Sequence, residues 1–338
     1  MEVHMQKLIS LVIPVYNEEE NVQNLYFELR EVAEKNNLNC QFVLVDDGSK
    51  DRTIEKLLEV AGTDPRLKLV CFRRNFGQTA AMQAGFDHAE GDVVITLDGD
   101  LQNDPSEIPA MIKKLDEGYD LVAGWRKNRQ DKFLSRKLPS RIANKLISRI
   151  TKVQLHDYGC TLKAMTADVA KNIQLYGEMH RFIPAVAAEY GVKIAEVPVN
   201  HRARVAGTSK YGISRTFRVI LDLLTVKFFL SFAKRPLHMF GALGMLSSLA
   251  GGLILTWLTV QRLFMHVPLA NRPILMLGVM LVLIGMQFLC FGLLAEVLIR
   301  TYHESQGKSI YAVRQIIRPG RGGTAPEEMH SRKVVNLA

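Results

Sequence analysis

The chain has 338 residues, 48% of them hydrophobic and 23% charged, which excludes a disordered polyelectrolyte and leaves room for two domains or one domain with a membrane part. Its four cysteines (Cys40, Cys71, Cys160, Cys290) are scattered, with neither a C-x-x-C pair nor a histidine at ligand spacing, so a zinc site is disfavoured and reduced thiols in a cytosolic setting are expected. A net charge of +9 narrows the partners to anions: nucleic acid, a lipid surface or a phosphorylated substrate.

The N-terminal MEVHMQKLIS runs straight into a strand-like segment, the pattern of a domain without a signal peptide. Leu8–Tyr16 predicts a strand, and Glu18–Lys35 a helix with Val22, Leu25, Leu29 and Val32 on one face. At their junction, IPVYNEEE offers Tyr16 to stack on a nucleobase and Glu18 to bond its edge. Asn17 as a helix N-cap and Tyr16 as a packed aromatic explain the same letters. Gln41–Val45, Leu67–Phe72 and Asp92–Leu97 read as further strands, each followed by a helical segment. This alternation predicts an α/β fold with a mostly parallel, Rossmann-like sheet. Ligands of such sheets bind beyond the carboxyl ends of the strands, where Asp46-Asp47 and Asp98/Asp100 both fall. The two acidic clusters are therefore expected to face one crevice.

In VVITLDGDLQNDP, Asp98, Asp100 and Gln102 place three oxygen donors at alternate positions. Hard cations such as Mg²⁺ or Mn²⁺ take carboxylate oxygens together with substrate phosphates. An acidic turn capping a helix near Pro105 is the competing reading. In VDDGS, an aspartate at a strand end can accept from a base N–H or a ribose hydroxyl, while Asx-turn chemistry leading into a helix at Asp51 and Thr53 reads equally well. No GxxxxGK[ST] occurs, nor a GxGxxG after the first strand, so P-loop and dinucleotide readings lose their support.

Residues 125–152 carry ten Lys/Arg against one acid, Asp131, with apolar residues interleaved. This is either a solvated face or a basic amphipathic segment that docks on anionic lipid. Nucleic acid is not expected, because no binding module or stacking array accompanies the charge. Residues 212–233 predict an amphipathic helix lying in the membrane interface. Composition then changes near Pro236: Leu237–Val260 and Ile274–Ala295 run 24 and 22 residues without Asp, Glu, Lys or Arg. Each is long enough to cross a hydrocarbon core of roughly 30 Å as a helix. Two spans return the chain to its starting side, and the unsignalled N-terminal domain makes that side the cytoplasm. The readings divide the chain into a catalytic domain over 1–211, an interfacial helix over 212–235, a transmembrane domain over 236–300 with spans at about 237–260 and 274–297, and a cytoplasmic tail over 301–338 with a disordered end.

IPVYNEEE, VDDGS, RNFGQTAAMQAG, LDGDLQNDP, DYGC and GTSKYG occur in the order and spacing of family 2 glycosyltransferases. Over residues 7–316 the chain resembles polyprenyl-phosphate glycosyltransferases, relatives of dolichol-phosphate mannose synthase and bactoprenol glucosyltransferases. The resemblance implies a GT-A domain with one nucleotide-sugar crevice. It implies that Pro14, Tyr16, Glu18, Val45 and Asp47 line the nucleoside pocket. Asp98, Gly99, Asp100 and Gln102 match the metal-diphosphate segment, and Arg126 matches an arginine near the sugar phosphate. Arg204, Ser209 and Lys210 match residues that grip phosphates, and Arg181 is a candidate for the acceptor phosphate unless it is a plain surface arginine. Asp100 and Asp157 are the implied catalytic residues, Asp157 at the position often proposed as a base.

The implied reaction is an inverting displacement in which a lipid phosphate attacks the anomeric carbon and the nucleoside diphosphate leaves, assisted by Mg²⁺ or Mn²⁺. A phosphate monoester has a second pKa near 6, so at neutral pH it holds little proton for a base to remove. Asp157 is therefore expected to orient the acceptor or a basic neighbour. The resemblance favours UDP-glucose and undecaprenyl phosphate. Other donors are UDP-4-formamido-arabinose, a UDP-N-acetylhexosamine or GDP-mannose. A polysaccharide synthase would need a Q/R-x-x-R-W motif and more spans. A scaffold with a degenerate nucleotide fold sits poorly with intact carboxylates. Multi-pass placement in a bacterial inner membrane is implied, as is a homo-oligomer such as a tetramer.

Overall fold

The computed structural model describes residues 7–127, 148, 153–175, 179–202, 236–266, 268–269, 272–305 and 310–319. The basic stretch from 128 to 152 (apart from Ser148), the expected interfacial helix at 212–235, and Arg204, Ser209 and Lys210 lie outside them. Two compact units result, residues 1–222 with 308–338 and residues 223–307.

The first unit is built on an eight-stranded sheet. Its strands are β1 (Ile9–Val15), β2 (Cys40–Asp46), β3 (Leu67–Phe72), β4 (Val93–Thr96), β5 (Leu121–Trp125), β6 (Lys163–Thr166), β7 (Ile194–Pro198) and β8 (Val313–Ile317). Their order is β7-β5-β6-β4-β1-β2-β3-β8, with β6 and β8 antiparallel to their neighbours. Strands covered on both faces need apolar residues on both faces, and every residue of β2 and of β3 is buried. Helices α1 (Val22–Lys35), α2 (Thr53–Ala61), α3 (Gln78–His88) and α4 (Ile108–Asp116) connect the strands. Short helices α5 (Ala167–Asn172) and α6 (Ile183–Ala188) follow β6. The parallel run β4-β1-β2-β3 brings four carboxyl ends to one edge, as the acidic clusters require.

Two boundaries depart from expectation for visible reasons. Helix α1 starts at Val22 rather than Glu18, because Asn17 takes a left-handed φ of 54° and is tied across to the loop after β2. There its backbone N–H donates to Ser49 Oγ at 3.0 Å and its Oδ1 accepts from Lys50 N at 2.9 Å. Asn17 is thus a staple between two loops, not a helix cap. The second departure is the tail. Residues 313–317 return to the sheet as β8 on the free edge of β3. Tyr311 stacks on Phe72 at 5.0 Å and its hydroxyl donates to Asp87 at 2.8 Å. Cys40, Cys71 and Cys160 are buried free thiols that burial pushes up to about 11, consistent with packing roles.

Helix α3 lies close on the sheet because Gly85 has no side chain: a Cβ there would stand 2.1 Å from Val12 Cγ1. The expected result for Gly85→Ala is a loss of about 1–3 kcal/mol from overpacking, read from urea denaturation. The same change would lift the helix whose first residue, Gln78, reaches the acidic segment described below.

The second unit consists of two long helices, α7 (Pro236–Met265) and α8 (Pro273–Ser305). Within them, Phe240–Met265 and Pro273–Ala295 have mean hydropathies of 1.7 and 2.5 and are long and apolar enough to cross a membrane. They pack antiparallel through small residues. A Cβ on Gly251 would lie 2.7 Å from the Gly278 carbonyl oxygen, and one on Gly285 would lie 2.1 Å from Ser248 Oγ. Much of their large apolar surface faces outward, including Leu246, Phe264 and Met276. Contiguous exposure of this kind is stable only against lipid or protein.

Candidate active site

Asp98 and Asp100 follow β4 on a tight turn. Gly99 is required there by packing, since a Cβ would meet Val15 Cγ1 at 3.0 Å and the Pro14 carbonyl oxygen at 3.1 Å. The acidic turn is therefore pressed against the end of β1. Both Asp98 oxygens are held: Gln78 Nε2 donates to Oδ1 at 2.8 Å and Thr161 Oγ1 to Oδ2 at 2.6 Å, while Asn103 Oδ1 accepts from the Asp98 N–H at 2.9 Å. Asp100 is buried, its Oδ1 accepting from Gln102 N at 3.2 Å, and Leu101 between them adopts a φ of 61°. Burial first, and then the adjacent Asp100 charge, push Asp98 up to about 6, while Thr161, Lys163 and Arg126 pull it back.

Two carboxylates that repel one another at a strand end are the donor set a hard divalent cation relieves. Among the described residues no group of three His, Cys, Asp or Glu side chains is arranged around a metal. The fit is therefore to a cation completed by ligand phosphates, as Mg²⁺ sites usually are.

Beside this segment, Arg126 follows β5 and meets Asp157, which precedes β6. The pair is bidentate, Nε to Oδ2 at 2.6 Å and Nη2 to Oδ1 at 2.9 Å, and the side chains are only 11% and 6% exposed. Gly159 N donates to Asp157 Oδ1 at 3.1 Å. From β7, Glu196 accepts from the backbone N–H of His156 and Asp157 and fixes this loop. Burial works against the Arg126 charge, but the Asp157 hydrogen bond and charge outweigh it and raise the guanidinium pKa. Lys163, fully buried at the start of β6, donates to the Cys160 carbonyl. Burial lowers its pKa, opposed by Cys160, Asp157 and Asp98.

At the other end of the edge, Asp47 accepts from Phe76 N at 2.7 Å and Gly77 N at 3.0 Å, although burial raises its pKa. Its carboxylate thus shapes the loop from β3 to α3. Truncation in Asp47→Ala removes the partner of two half-buried backbone donors and is expected to cost about 1 kcal/mol in urea denaturation. Asp46 faces an open cleft of about 420 Å³, with Tyr16, Lys50, Phe72, Arg74 and Arg314 among its walls. That volume suits a small-molecule ligand.

The remaining expected residues distribute unevenly. Glu18 Oε2 accepts from Asn21 Nδ2 at 2.7 Å, beside the start of α1. Val45 is wholly buried and pairs with Pro14 in the sheet, so its side chain presents nothing to a ligand. Arg181 is half-buried on a 3-10 turn (Met179–Phe182) whose His180 Nδ1 lies 2.7 Å from Thr79 Oγ1 on α3. Arg202 pairs with Asp104 and Glu28, and its N–H donates to the Gln102 carbonyl at 3.0 Å, so the chain is beside the acidic segment two residues before Arg204. Sequence reasoning missed Gln78, Thr161 and Lys163. The first lies in RNFGQTAAMQAG, a motif whose order and spacing give its glutamine no role of its own. A lysine in TLKAM reads as an ordinary solvent-facing strand position.

A mixed sheet with an acidic turn after the fourth strand and a cleft over the first three defines a GT-A fold. Two solved structures of glucosyl-3-phosphoglycerate synthase from Mycobacterium tuberculosis share it. One is in complex with Mn²⁺, UDP and phosphoglyceric acid, the other with Mn²⁺ and UDP-glucose. Their TM-scores are 0.52 and 0.50 at 17% and 16% identity, over 65% of this chain and 78% and 79% of theirs. The family model for glycosyl transferase family 2 matches residues 10–174. A dodecaprenyl-phosphate galacturonate synthase of Rhizobium johnstonii is 48% identical over 314 residues, 91% of this chain and 92% of the relative. The chain belongs to glycosyl transferase family 2, with the organisation of its polyprenyl-phosphate members.

Proposed function

We propose that the protein transfers a uronic acid, galacturonate, from a nucleotide sugar to polyprenyl phosphate, with inversion at the anomeric carbon. The observation that carries this reading is the 48% identity to a dodecaprenyl-phosphate galacturonate synthase across nearly the full length of both chains. The two apolar helices support it, because a polyprenyl acceptor is reached only at a membrane. We place both helices across a bacterial inner membrane with the catalytic unit on the cytoplasmic side, where nucleotide sugars are made. Glucose, which the motifs favour, becomes the principal competitor.

In this mechanism Asp98 and Asp100 would hold a Mg²⁺ or Mn²⁺ ion. The bound cation supplies neutralisation of the charge that develops on the departing diphosphate. Gln78 and Thr161 orient Asp98, and Gly99 sets the turn against β1. Tyr16 and Asp47 receive the nucleoside. Arg126, held by Asp157, presents fixed positive charge beside the reacting phosphates. The acceptor phosphate attacks as an anion, and Asp157 holds Arg126 rather than taking a proton. Arg204, Ser209 and Lys210 are assigned to the phosphates from their motif.

The test is a donor panel with undecaprenyl and dodecaprenyl phosphate: UDP-galacturonate, UDP-glucose, UDP-4-formamido-arabinose, UDP-N-acetylhexosamines and GDP-mannose, with Mg²⁺ and Mn²⁺ and product mass as readout. A polyprenyl-phosphate uronate is the expected product. Transfer of glucose with none of galacturonate would refute the donor assignment, and no lipid product from any donor would refute the reaction.

A further inference from the structure

Several cations of the catalytic unit are paired, Arg30 with Glu34, Arg52 with Glu55, Arg66 with Asp64 and Arg318 with Glu90. The cleft over β2, β3 and β8 instead gathers four cations in one place. Lys50, Arg73, Arg74 and Arg314 line it and make no ion pair with a described carboxylate. The cleft's own acid, Asp46, is buried, and burial raises its pKa against the Ser49 and Gly48 hydrogen bonds and, least of all, the Arg314 charge. Four cations around one carboxylate repel each other unless an anion joins them.

Arg314 is placed there by an irregularity in the sheet. The ladder pairs Cys71 with Gln315 and Phe72 with Val313, so Arg314 is the extra residue of a bulge. Bulges re-aim a side chain and occur beside functional sites. The bulge is pinned on both sides, by Arg73 N donating to the Ala312 carbonyl at 3.0 Å and by Tyr311 stacked on Phe72. Across the cleft, Arg74 is held over the Phe76 ring at 4.2 Å. Arg74 and Phe76 open the RNFGQTAAMQAG motif, but Arg314 belongs to none of the motifs, and its segment lies beyond both apolar helices in the chain.

We propose that Arg314 is a nucleoside-diphosphate-binding residue, brought by β8 to complete the cationic wall of the donor cleft. With Lys50, Arg73 and Arg74 it acts on the phosphate charge of the donor, so donor affinity depends on chain that follows α8. The proposal rests on the reading that this cleft takes a nucleotide sugar.

The experiment measures binding to the full-length protein in detergent by calorimetry. The probes are UDP, GDP, uridine and guanosine, and the proteins are the wild type, Arg314→Ala and Arg314→Lys. Loss of a charge-assisted hydrogen bond predicts about ten-fold weaker binding of the nucleoside diphosphate to Arg314→Ala, with Arg314→Lys retaining most of the affinity and the nucleosides unaffected. In turnover, the donor KM rises while kcat holds. Should Arg314→Ala melt early, Arg314→Gln gives the same reading with the hydrogen-bonding length kept. Equal loss for nucleoside and nucleotide, or no loss at all, overturns the proposal while the functional reading stands. So does reduced co-sedimentation with phosphatidylglycerol vesicles at unchanged nucleotide affinity, which would make Arg314 a lipid contact. A wild type that binds neither nucleotide overturns the functional reading as well.

Discussion

Arg126→Ala is expected to lose nearly all turnover and a large part of the stability of the catalytic unit. Its guanidinium and the Asp157 carboxylate are joined by two parallel hydrogen bonds, and both side chains are nearly buried. Removing one partner of such a pair strands the other charge, at a cost of about 3–5 kcal/mol. The catalytic loss is expected at roughly 10²–10³ in kcat, the scale on which a preorganised charge facing a developing anion acts. Asp157→Asn should behave alike, because an amide cannot accept both guanidinium bonds. The double variant should then cost little more than either single change, the mark of two residues that act as one. A base would behave differently: the Asp157→Asn deficit would be confined to low pH and recovered at high pH. An orienting partner gives a deficit that persists across the pH–rate profile, and the profile decides between them.

What the sequence makes legible divides from what it hides along a physical line. Strand ends can be read because a strand buried on both faces is a continuous apolar run, and carboxylates that interrupt it stand out. That is why β1, β3 and β4 fall within a residue or two of their expected places, and why Asp98, Asp100 and Asp47 are visible as candidates. Side-chain partners cannot be read, because nothing local encodes them. Asp98 is held by Gln78 and Thr161, which lie 20 and 63 positions away, and Arg126 meets Asp157 across 31. Asp47 stands out as a carboxylate at a strand end, yet what its carboxylate holds is the β3–α3 loop, a role that no strand-end pattern announces. Strand β8 escapes sequence reading because VRQII is too short to announce a strand, and its pairing is decided by the open edge of β3, more than 240 positions away.

The acidic turn yields the remaining large effect. Asp100→Ala and Asp98→Asn are each expected to remove metal-dependent binding of the nucleoside diphosphate and with it activity. The reason can be tested separately from catalysis. In the folded protein Asp98 is pushed up to about 6 from an ordinary value of 3.8. A carboxylate whose folded pKa is raised binds its proton more tightly when folded, so the shift penalises folding once the group must ionise. That penalty is absent below the unfolded value of 3.8, grows as pH rises towards about 6, and is complete above it. A divalent cation at the turn reverses the sign, because it stabilises the ionised form and competes with the proton. Mn²⁺ with UDP should therefore raise the melting temperature strongly at pH 8 and weakly at pH 5. The metal-free protein should gain stability as pH falls from 7 towards 5 by the contribution of this one group. Asp98→Asn should flatten both trends, since the amide neither ionises nor takes up the cation's charge. A stabilisation by Mn²⁺ and UDP of equal size in Asp98→Asn and wild type would place the ion elsewhere and remove Asp98 from the leaving-group machinery.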